Sequence, residues 1–267
     1  MTDADPLPAA EGIHIDGVSK RFERTGQSVL ALADISLDIA EGELVSVIGP
    51  SGCGKSTLLR IIGGLLTPDT GTVTIGTHTP EQARRQKHFG FVFQTPALLP
   101  WRTVVDNVAL VGEVNRRNNR RHEHPPPGPA ELLDAVGLAG FERAHPAELS
   151  GGMQQRVALA RAVALGAPVL LMDEPFAALD EITRSDMRYL LLDMWERTRA
   201  TCVFVTHSID EAVALSDRVV VLGPRPGRVA ADELIDLGRP RHPWLEDTAE
   251  FRSHVGHIRR ILHTGSR

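Results

Sequence analysis

The stretch GPSGCGKST at residues 49–57 decides the fold of this 267-residue chain. It matches the pattern G-x-x-x-x-G-K-[ST]. The run before it, ELVSVI at residues 43–48, is short, apolar and rich in β-branched residues, which predicts a buried parallel strand. Residues 56–62 predict a helix. Strand, glycine-rich loop and helix in this order predict a binding site for a nucleoside triphosphate. The alternative is an ordinary glycine-rich turn between a strand and a helix.

The residue types of this loop suit phosphate chemistry. Glycines let backbone N–H groups converge on phosphate oxygens, and the N-terminus of the following helix adds partial positive charge. Lys55 can reach the β- and γ-phosphates, and the Ser56 hydroxyl can ligate Mg²⁺. The predicted nucleotide-binding residues of the loop are Gly49, Pro50, Ser51, Gly52, Cys53, Gly54, Lys55, Ser56 and Thr57.

The composition argues against a nucleic-acid-binding, disulfide-rich, secreted or membrane-spanning protein. A net charge of −5 gives no general sign of nucleic-acid binding. The two cysteines, Cys53 and Cys202, lie far apart, which indicates neither a disulfide framework nor a zinc site and suits a reducing compartment. We expect residues 1–11 to form a disordered tail rather than a signal peptide. Because no run of about 18 uncharged apolar residues occurs, we expect the chain to be soluble by itself.

Four apolar runs end in residues that suit phosphate chemistry. One leads into the glycine-rich loop, and the others end at Gln94, at Asp173-Glu174 and near His207. In an open parallel sheet, ligands bind at the carboxyl ends of the strands, so these residues should meet at one edge. Asp173 suits Mg²⁺, and Glu174 can polarise a water for attack on the γ-phosphate. The alternatives are a solvated acidic pair and a structural histidine, and Gln94 alone is weak support.

The stretch LSGGMQQR at residues 149–156 predicts a second anion-binding site at the start of a helix. Ser150, Gly151 and Gly152 precede a predicted helix, whose free N–H groups can bind an anion. One chain does not need two such sites for one triphosphate. Two chains do, if each completes the nucleotide site of the other.

With these motifs together, the chain resembles the ATP-binding cassette ATPases, the motor subunits of ABC transporters, over roughly residues 12–262. The resemblance implies ATP hydrolysis coupled to transport, with ATP and Mg²⁺ as cofactors. The implied fold is α/β: a P-loop NTPase with a mainly parallel core, a small antiparallel β subdomain and an inserted helical subdomain. The implied boundaries are 12–93 and 156–226 for the core, 94–155 for the helical subdomain and 227–267 for a C-terminal extension.

Each motif of this family has a matching stretch in the chain. Residues 49–57 resemble the Walker A loop and residues 169–174 the Walker B strand, and Phe22 lies where an aromatic ring stacks on adenine. The implied catalytic residues are Glu174, His207, Gln94 and Lys55, and the implied Mg²⁺ residues are Ser56, Gln94 and Asp173. The implied contacts to the partner's nucleotide are Ser150, Gly151, Gly152 and Gln154, and Asp180 belongs to the D-loop.

A finer resemblance is to importers of nitrate, sulfonates and taurine. It lies in LLPW at 98–101, DEPFAALDEITR at 173–184, VTHSIDEAVALSDRVVVLGPRPGR at 205–228 and DLGRPR at 236–241. It implies a homodimer, at the cytoplasmic face of the bacterial inner membrane, that works with permease subunits and indirectly with a substrate-binding protein. We expect residues 98–101 to lie at the permease contact rather than in the chain's own core.

Other classes fit less well. A soluble ABC ATPase acting on DNA ends or ribosomes would carry a coiled coil or a second cassette, and neither pattern is present. The signature at 149–156 argues against a P-loop kinase or GTPase, and the intact Glu174 against a non-catalytic binding module. The basic, proline-rich stretch 116–129 predicts a solvated linker, with contact to phosphate or acidic lipid as the alternative.

Overall fold

The computed structural model describes residues 10–24, 27–115, 127–177 and 179–264. Residues 1–9 of the expected tail at 1–11 and most of the basic stretch at 116–129 therefore lie outside the described residues. The strands are β1 Ile13–Arg24, β2 Gln27–Ile39, β3 Leu44–Ile48, β4 Thr70–Ile75, β5 Phe89–Val92, β6 Val169–Asp173, β7 Thr201–Val205, β8 Arg218–Leu222 and β9 Val229–Leu234. The helices are α1 Lys55–Ile62, α2 Pro80–Arg85, α3 Val104–Val114, α4 Pro129–Ala135, α5 Gly151–Val163, α6 Glu181–Thr198, α7 Ile209–Leu215 and α8 Ala249–Thr264.

The larger sheet has the strand order β5-β6-β7-β3-β8-β9. Its first five strands are parallel, and β9 pairs antiparallel with β8 at the edge. All residues of β3, β6 and β7 are buried, because both faces of this part of the sheet are covered. These are the continuous apolar runs from which the parallel core is predicted, and the α/β fold class is confirmed.

The smaller sheet is antiparallel, with the order β2-β1-β4. In β2 buried and exposed residues alternate from Ala33 onward, as in a strand with one face on a core. That face packs with α1 and the larger sheet in one hydrophobic cluster, which includes Ile35 and Leu37. The predicted antiparallel sheet beside the nucleotide loop is confirmed.

Helices α3, α4, α5 and α6 share a second hydrophobic cluster with the other face of the larger sheet. Its largest side chains are Trp195, Phe176 and Phe204. Phe176 and Phe204 contact each other with their ring centroids 5.6 Å apart. This cluster fixes α5, and with it the stretch 149–156, against the core. None of the described helices is long and apolar enough to cross a membrane.

The C-terminal segment forms structure that the sequence did not reveal. Strand β9 alternates half-buried and exposed residues, so its hydropathy pattern is weak. Helix α8 packs on α7 through Phe251, Val255 and Ile258. Arg241 anchors the segment before α8: its guanidinium donates to the carbonyls of Val213, Ala214, Ser216, Ile235 and Leu237.

Candidate functional site

The phosphate loop runs from the end of β3 to the first residue of α1. Gly54 has φ of 110°, and a Cβ there would lie 2.6 Å from Leu32 Cδ2, so only glycine fits. A Cβ on Gly49 would lie 2.6 Å from the Leu222 carbonyl oxygen. Lys55 Nζ donates to the Gly49 carbonyl at 2.9 Å, so the ammonium group lies over the loop. The loop has the close-packed backbone that a phosphate cradle needs.

A cleft of about 610 Å³ opens above this loop. One wall is Phe22, whose side chain is 40% exposed, and another is Glu174. Arg225 also lines the cleft, and its Nε donates to the Gly52 carbonyl at 3.0 Å. The remaining lining residues are Glu23, Val29, Ala31, Ser51, Gly52, Gly54, Lys55, Ser56 and Thr57. Phe22 and the loop therefore both line the cleft, whereas Arg225, which lies within the stretch 205–228, was not predicted as a site residue.

Two oxygen donors meet at the floor of the site. The Ser56 hydroxyl donates to Asp173 Oδ1 at 2.8 Å, joining the start of α1 to the end of β6. Asp173 is buried, with 9% of its surface exposed. Hydroxyl and carboxylate oxygens are the protein ligands that Mg²⁺ prefers. The pair predicted from sequence as a Mg²⁺ site is thus in contact.

Glu174 follows directly and takes an unusual backbone conformation. Its φ is 45°, and its N–H donates to the Val205 carbonyl at 2.9 Å. Non-glycine residues in this left-handed region cost energy and cluster at functional sites. His207 Nδ1 lies 3.2 Å from Glu174 Oε2. Glu174 and His207 therefore come together at the carboxyl edge of the sheet, as predicted.

Gln94 lies apart from the cleft. It is exposed two residues after β5, and among the described residues it is not one of those that line the cleft. The carbonyl before it, on Phe93, accepts from Gln155 Nε2 at 3.4 Å, which ties this loop to α5. The prediction that Gln94 contacts Mg²⁺ is not tested by this geometry.

The signature residues form a separate surface at the start of α5. Ser150 is the N-cap, and its Oγ accepts the Met153 N–H at 3.3 Å. Gly151 is exposed, and Gly152 packs so close to α6 that a Cβ would lie 2.9 Å from Thr183 Cγ2. Within the part of the chain that the structure describes, these residues do not line the cleft. The chain does not bring its own signature to its own phosphate loop.

Two further predicted residues have structural partners within the chain. The Gln154 amide donates to the Pro146 and Leu149 carbonyls, at 2.9 and 3.3 Å. Asp180 is the N-cap of α6 and accepts from the backbone and hydroxyl of Thr183. These hydrogen bonds from Thr183 lower the pKa of Asp180. Asp180 is therefore held ionised at the start of a helix, which favours negative charge.

An apolar groove of about 340 Å³ lies on the side of the molecule near residues 96–101. Its lining includes Phe89, Phe91, Phe93, Ala97, Leu110, Val111, Arg161 and Leu165. The Arg161 guanidinium donates to the Pro96 and Ala97 carbonyls, which holds this segment on α5. Trp101 has 72% of its surface exposed. The alternative that Trp101 belongs to the core is wrong, although Leu98 packs partly against the core.

Comparison with known proteins agrees with this geometry. The ABC transporter family model matches residues 32–177. An ABC transporter ATP-binding protein of Methanocaldococcus jannaschii is 46% identical over 247 residues, covering 92% of this chain and 90% of that protein. The aliphatic sulfonates import ATP-binding protein of Bacillus cereus is 42% identical, covering 91% and 94%. The taurine import ATP-binding protein of Roseobacter denitrificans is 46% identical, covering 82% and 80%.

A solved structure of an ATP-binding cassette has a similar fold. It is a dimeric ATP-binding cassette in a post-hydrolysis state, bound to ADP and phosphate. It is 33% identical, with a TM-score of 0.70, and covers 85% of this chain and all of its own. The phosphate loop, the acidic pair at the end of β6 and the separate signature surface all lie within residues 32–177, which the family model matches. The chain belongs to the ABC transporter ATP-binding family and is an ATPase coupled to transport.

Proposed function

We propose that this chain powers the uptake of a small anion, such as nitrate, an aliphatic sulfonate or taurine, by closing an ATP-bound homodimer. The proposed ATP hydrolysis rests on one observation: Ser56 contacts Asp173 beside Glu174 and the phosphate loop. The solute class follows from the names of relatives that import aliphatic sulfonates and taurine, at 42–46% identity.

In this proposal the cleft binds ATP and Glu174 acts as the general base. Phe22 presents a ring face for the adenine, and Lys55 leaves the Gly49 carbonyl to meet the β- and γ-phosphates. Glu174 polarises the attacking water. His207 orients the Glu174 carboxylate from 3.2 Å. Gln94 reaches the site only when its loop moves.

Mg²⁺ fits the donor set at this site. Ser56 and Asp173 offer a hydroxyl and a carboxylate oxygen in direct contact, which suits a hard cation. When bound, the ion would neutralise charge on the phosphate oxygens. Ser56 and Asp173 would hold it. Their own hydrogen bond keeps the two side chains in place before the ion binds.

The second half of each site comes from the partner in this proposal. Ser150, Gly151 and Gly152 begin α5 away from the chain's own cleft, at a helix N-terminus where Ser150 and Gly151 are exposed. The similar cassette with ADP and phosphate is a dimer. Two chains related by a twofold axis can place each signature on the nucleotide of the other.

The permease contact would use the apolar groove and the exposed Trp101. Exposed apolar surface is typical of interaction sites, and both Phe93, which lines the groove, and Trp101 are exposed. Residues 94–155 would form a helical subdomain, residues 12–93 and 156–226 the core and residues 227–267 an extension, so the groove would be lined by residues of both the core and the helical subdomain. The chain would then lie at the cytoplasmic face of the inner membrane, and a substrate-binding protein would act through the permease.

Reconstitution tests the proposal. The chain is assembled with the permease and binding protein made with it, and ATP hydrolysis is measured with taurine, an alkanesulfonate and nitrate in separate vesicles. We expect Mg²⁺-dependent hydrolysis that one of the three anions stimulates. Hydrolysis without stimulation by any of them would reject the solute class, and no hydrolysis in the assembled complex would reject the ATPase role.

A further inference from the structure

A cluster of three metal-ligating side chains lies away from the nucleotide cleft. Glu11 precedes β1, His78 lies in the turn between β4 and α2, and His88 directly precedes β5. Their potential ligand atoms all lie within 4.8 Å of one another. The amino end of β5 lies at the edge of the sheet opposite the phosphate loop. We propose that these three residues form a second, transition-metal site, for Zn²⁺ or a similar ion that prefers imidazole ligands.

The chemistry of the three side chains fits such an ion. Two imidazoles and one carboxylate are a typical three-ligand set for Zn²⁺, with a fourth position left for water. They suit Mg²⁺ poorly, because it prefers oxygen ligands. The side chains are mostly enclosed, with exposed fractions of 20% for Glu11, 27% for His78 and 19% for His88. A metal ion could therefore reach these side chains from solvent, and on binding it would exchange most of its bound water for protein ligands.

The distances are close to those of a bound state. Glu11 Oε2 lies 3.0 Å from His88 Nδ1, and Glu11 Oε1 lies 3.9 Å from His78 Nδ1. In a tetrahedral site with bonds of about 2.0–2.1 Å, ligand atoms lie about 3.3 Å apart. The two measured separations lie on either side of that value. Small side-chain rotations would therefore complete the site.

The bonding of His78 points to a missing partner. Its Nδ1 is buried and, within the described residues, has no hydrogen-bond partner, since 3.9 Å to Glu11 is too long for one. A buried nitrogen without a partner destabilises the folded chain, because it has lost its hydrogen bonds to water. The two imidazole rings meet edge to face, with centroids 5.1 Å apart. A bound ion would give the His78 nitrogen the partner that the protein does not.

The backbone holds the three residues in place. His78 exchanges hydrogen bonds with Ile75 in both directions, and the His88 carbonyl accepts the Val169 N–H at the start of β6. The Gly76 N–H donates to the Gly12 carbonyl, next to Glu11. A metal ion here would join β1 and β4 of the antiparallel sheet to β5 of the parallel sheet. This link would lie away from the cleft that binds ATP.

Metal titration of the full chain tests this inference. The protein is freed of metal with a chelator, and Zn²⁺ is titrated against a chromophoric competitor in excess Mg²⁺, which occupies oxygen sites. We expect one tight Zn²⁺ equivalent in the parent. H78A, H88A and E11A should each lower its affinity at least about 10-fold. H257A is the matched control, because His257 pairs with Glu233 on the surface, and it should bind as the parent does.

A second measurement guards against loss of folding. Nucleotide affinity and the unfolding curve in chelator report whether each variant is intact. Zn²⁺ should raise the unfolding midpoint of the parent and of H257A but not of H78A or H88A, because only a ligand of the folded state stabilises it. Unchanged Zn²⁺ affinity in folded H78A and H88A, or no tight equivalent in the parent, would overturn the inference. Glu11 and His88 would then be an ordinary hydrogen-bonded pair.

Discussion

His207 Nδ1 lies 3.2 Å from Glu174 Oε2, across 33 positions of sequence. The two residues follow neighbouring parallel strands, β7 and β6, so the sheet itself brings them together. The left-handed backbone at Glu174 turns the chain at the point where its carboxylate faces the cleft. In the proposed mechanism this pair carries the chemistry of hydrolysis, and the first prediction tests that role.

Glu174→Gln should retain ATP binding and lower hydrolysis by ~10²–10⁴-fold, because the amide keeps the size of the side chain and cannot act as a base. Turnover and nucleotide affinity are measured separately, and ATP should trap a dimer. Glu81→Gln is the control, since Glu81 lies on the surface paired with Arg85. Turnover of Glu174→Gln within threefold of the parent would exclude Glu174 as the base.

Mixing inactive variants tests whether two chains share each site. In a heterodimer of Lys55→Ala and Ser150→Arg, one site carries both defects and the other is intact, so partial ATPase activity should return. Ser150 is an exposed N-cap, so its replacement should cost only about 1 kcal/mol of folding free energy.

The matched control for mixing is Lys55→Ala with Glu174→Gln. Both changes affect the phosphate-loop half of a site, so each site of that heterodimer carries one defect and no activity should return. Rescue by both mixtures, or by neither when heterodimers are shown to form, would contradict shared sites.

Trp101→Ala should weaken binding to the permease by ~2–4 kcal/mol while the isolated chain keeps its stability and ATP affinity. The physical reason is exposure: Trp101 is 72% exposed, so its removal leaves no cavity. Trp244→Ala is the control, because Trp244 is 63% exposed but lies in the C-terminal segment. A permease affinity that falls equally in both variants would argue against the groove as the contact.

Arg241→Met should lower the free energy of unfolding by roughly 2–4 kcal/mol, measured by urea denaturation. The change removes a donor from five carbonyls, including those of Val213 and Ala214 near the end of α7. Burial lowers the pKa of Arg241 to about 10, so the guanidinium is still charged at neutral pH. Arg252→Met, on the exposed side of α8, should change stability by less than about 0.5 kcal/mol.

Glu211 should make the free energy of unfolding depend on pH in a defined direction. Burial raises the pKa of Glu211, so the folded chain binds a proton at a pH where the unfolded chain has lost it. Stability relative to Glu211→Gln should therefore rise as the pH falls through the folded pKa and level off below about 4.3, the unfolded value. Parallel unfolding curves of the two proteins at several pH values check this. A difference that stays constant with pH would contradict the shift.

Local patterns in the sequence determined the parallel core and the phosphate loop. The mostly apolar runs of β3, β6 and β7 are buried throughout, as expected of strands with both faces covered. A loop with Gly49 and Gly54 permits backbone angles that other residues resist. Because parallel strands align their carboxyl ends, the sequence also placed Asp173 and Glu174 at the edge that holds the loop. Their contacts with Ser56 and His207 agree with that placement.

Only the tertiary structure decided which side chains meet without a local pattern. Arg225 reaches Gly52 from the end of another strand, and the polar edge strand β9 and helix α8 gain their places from packing on β8 and α7. Glu11, His78 and His88 come from three separate segments, so no spacing could signal their approach. Local propensity and hydropathy specify helices and strands. Long-range contacts between exposed or half-buried residues depend instead on how the two sheets and the helices pack together.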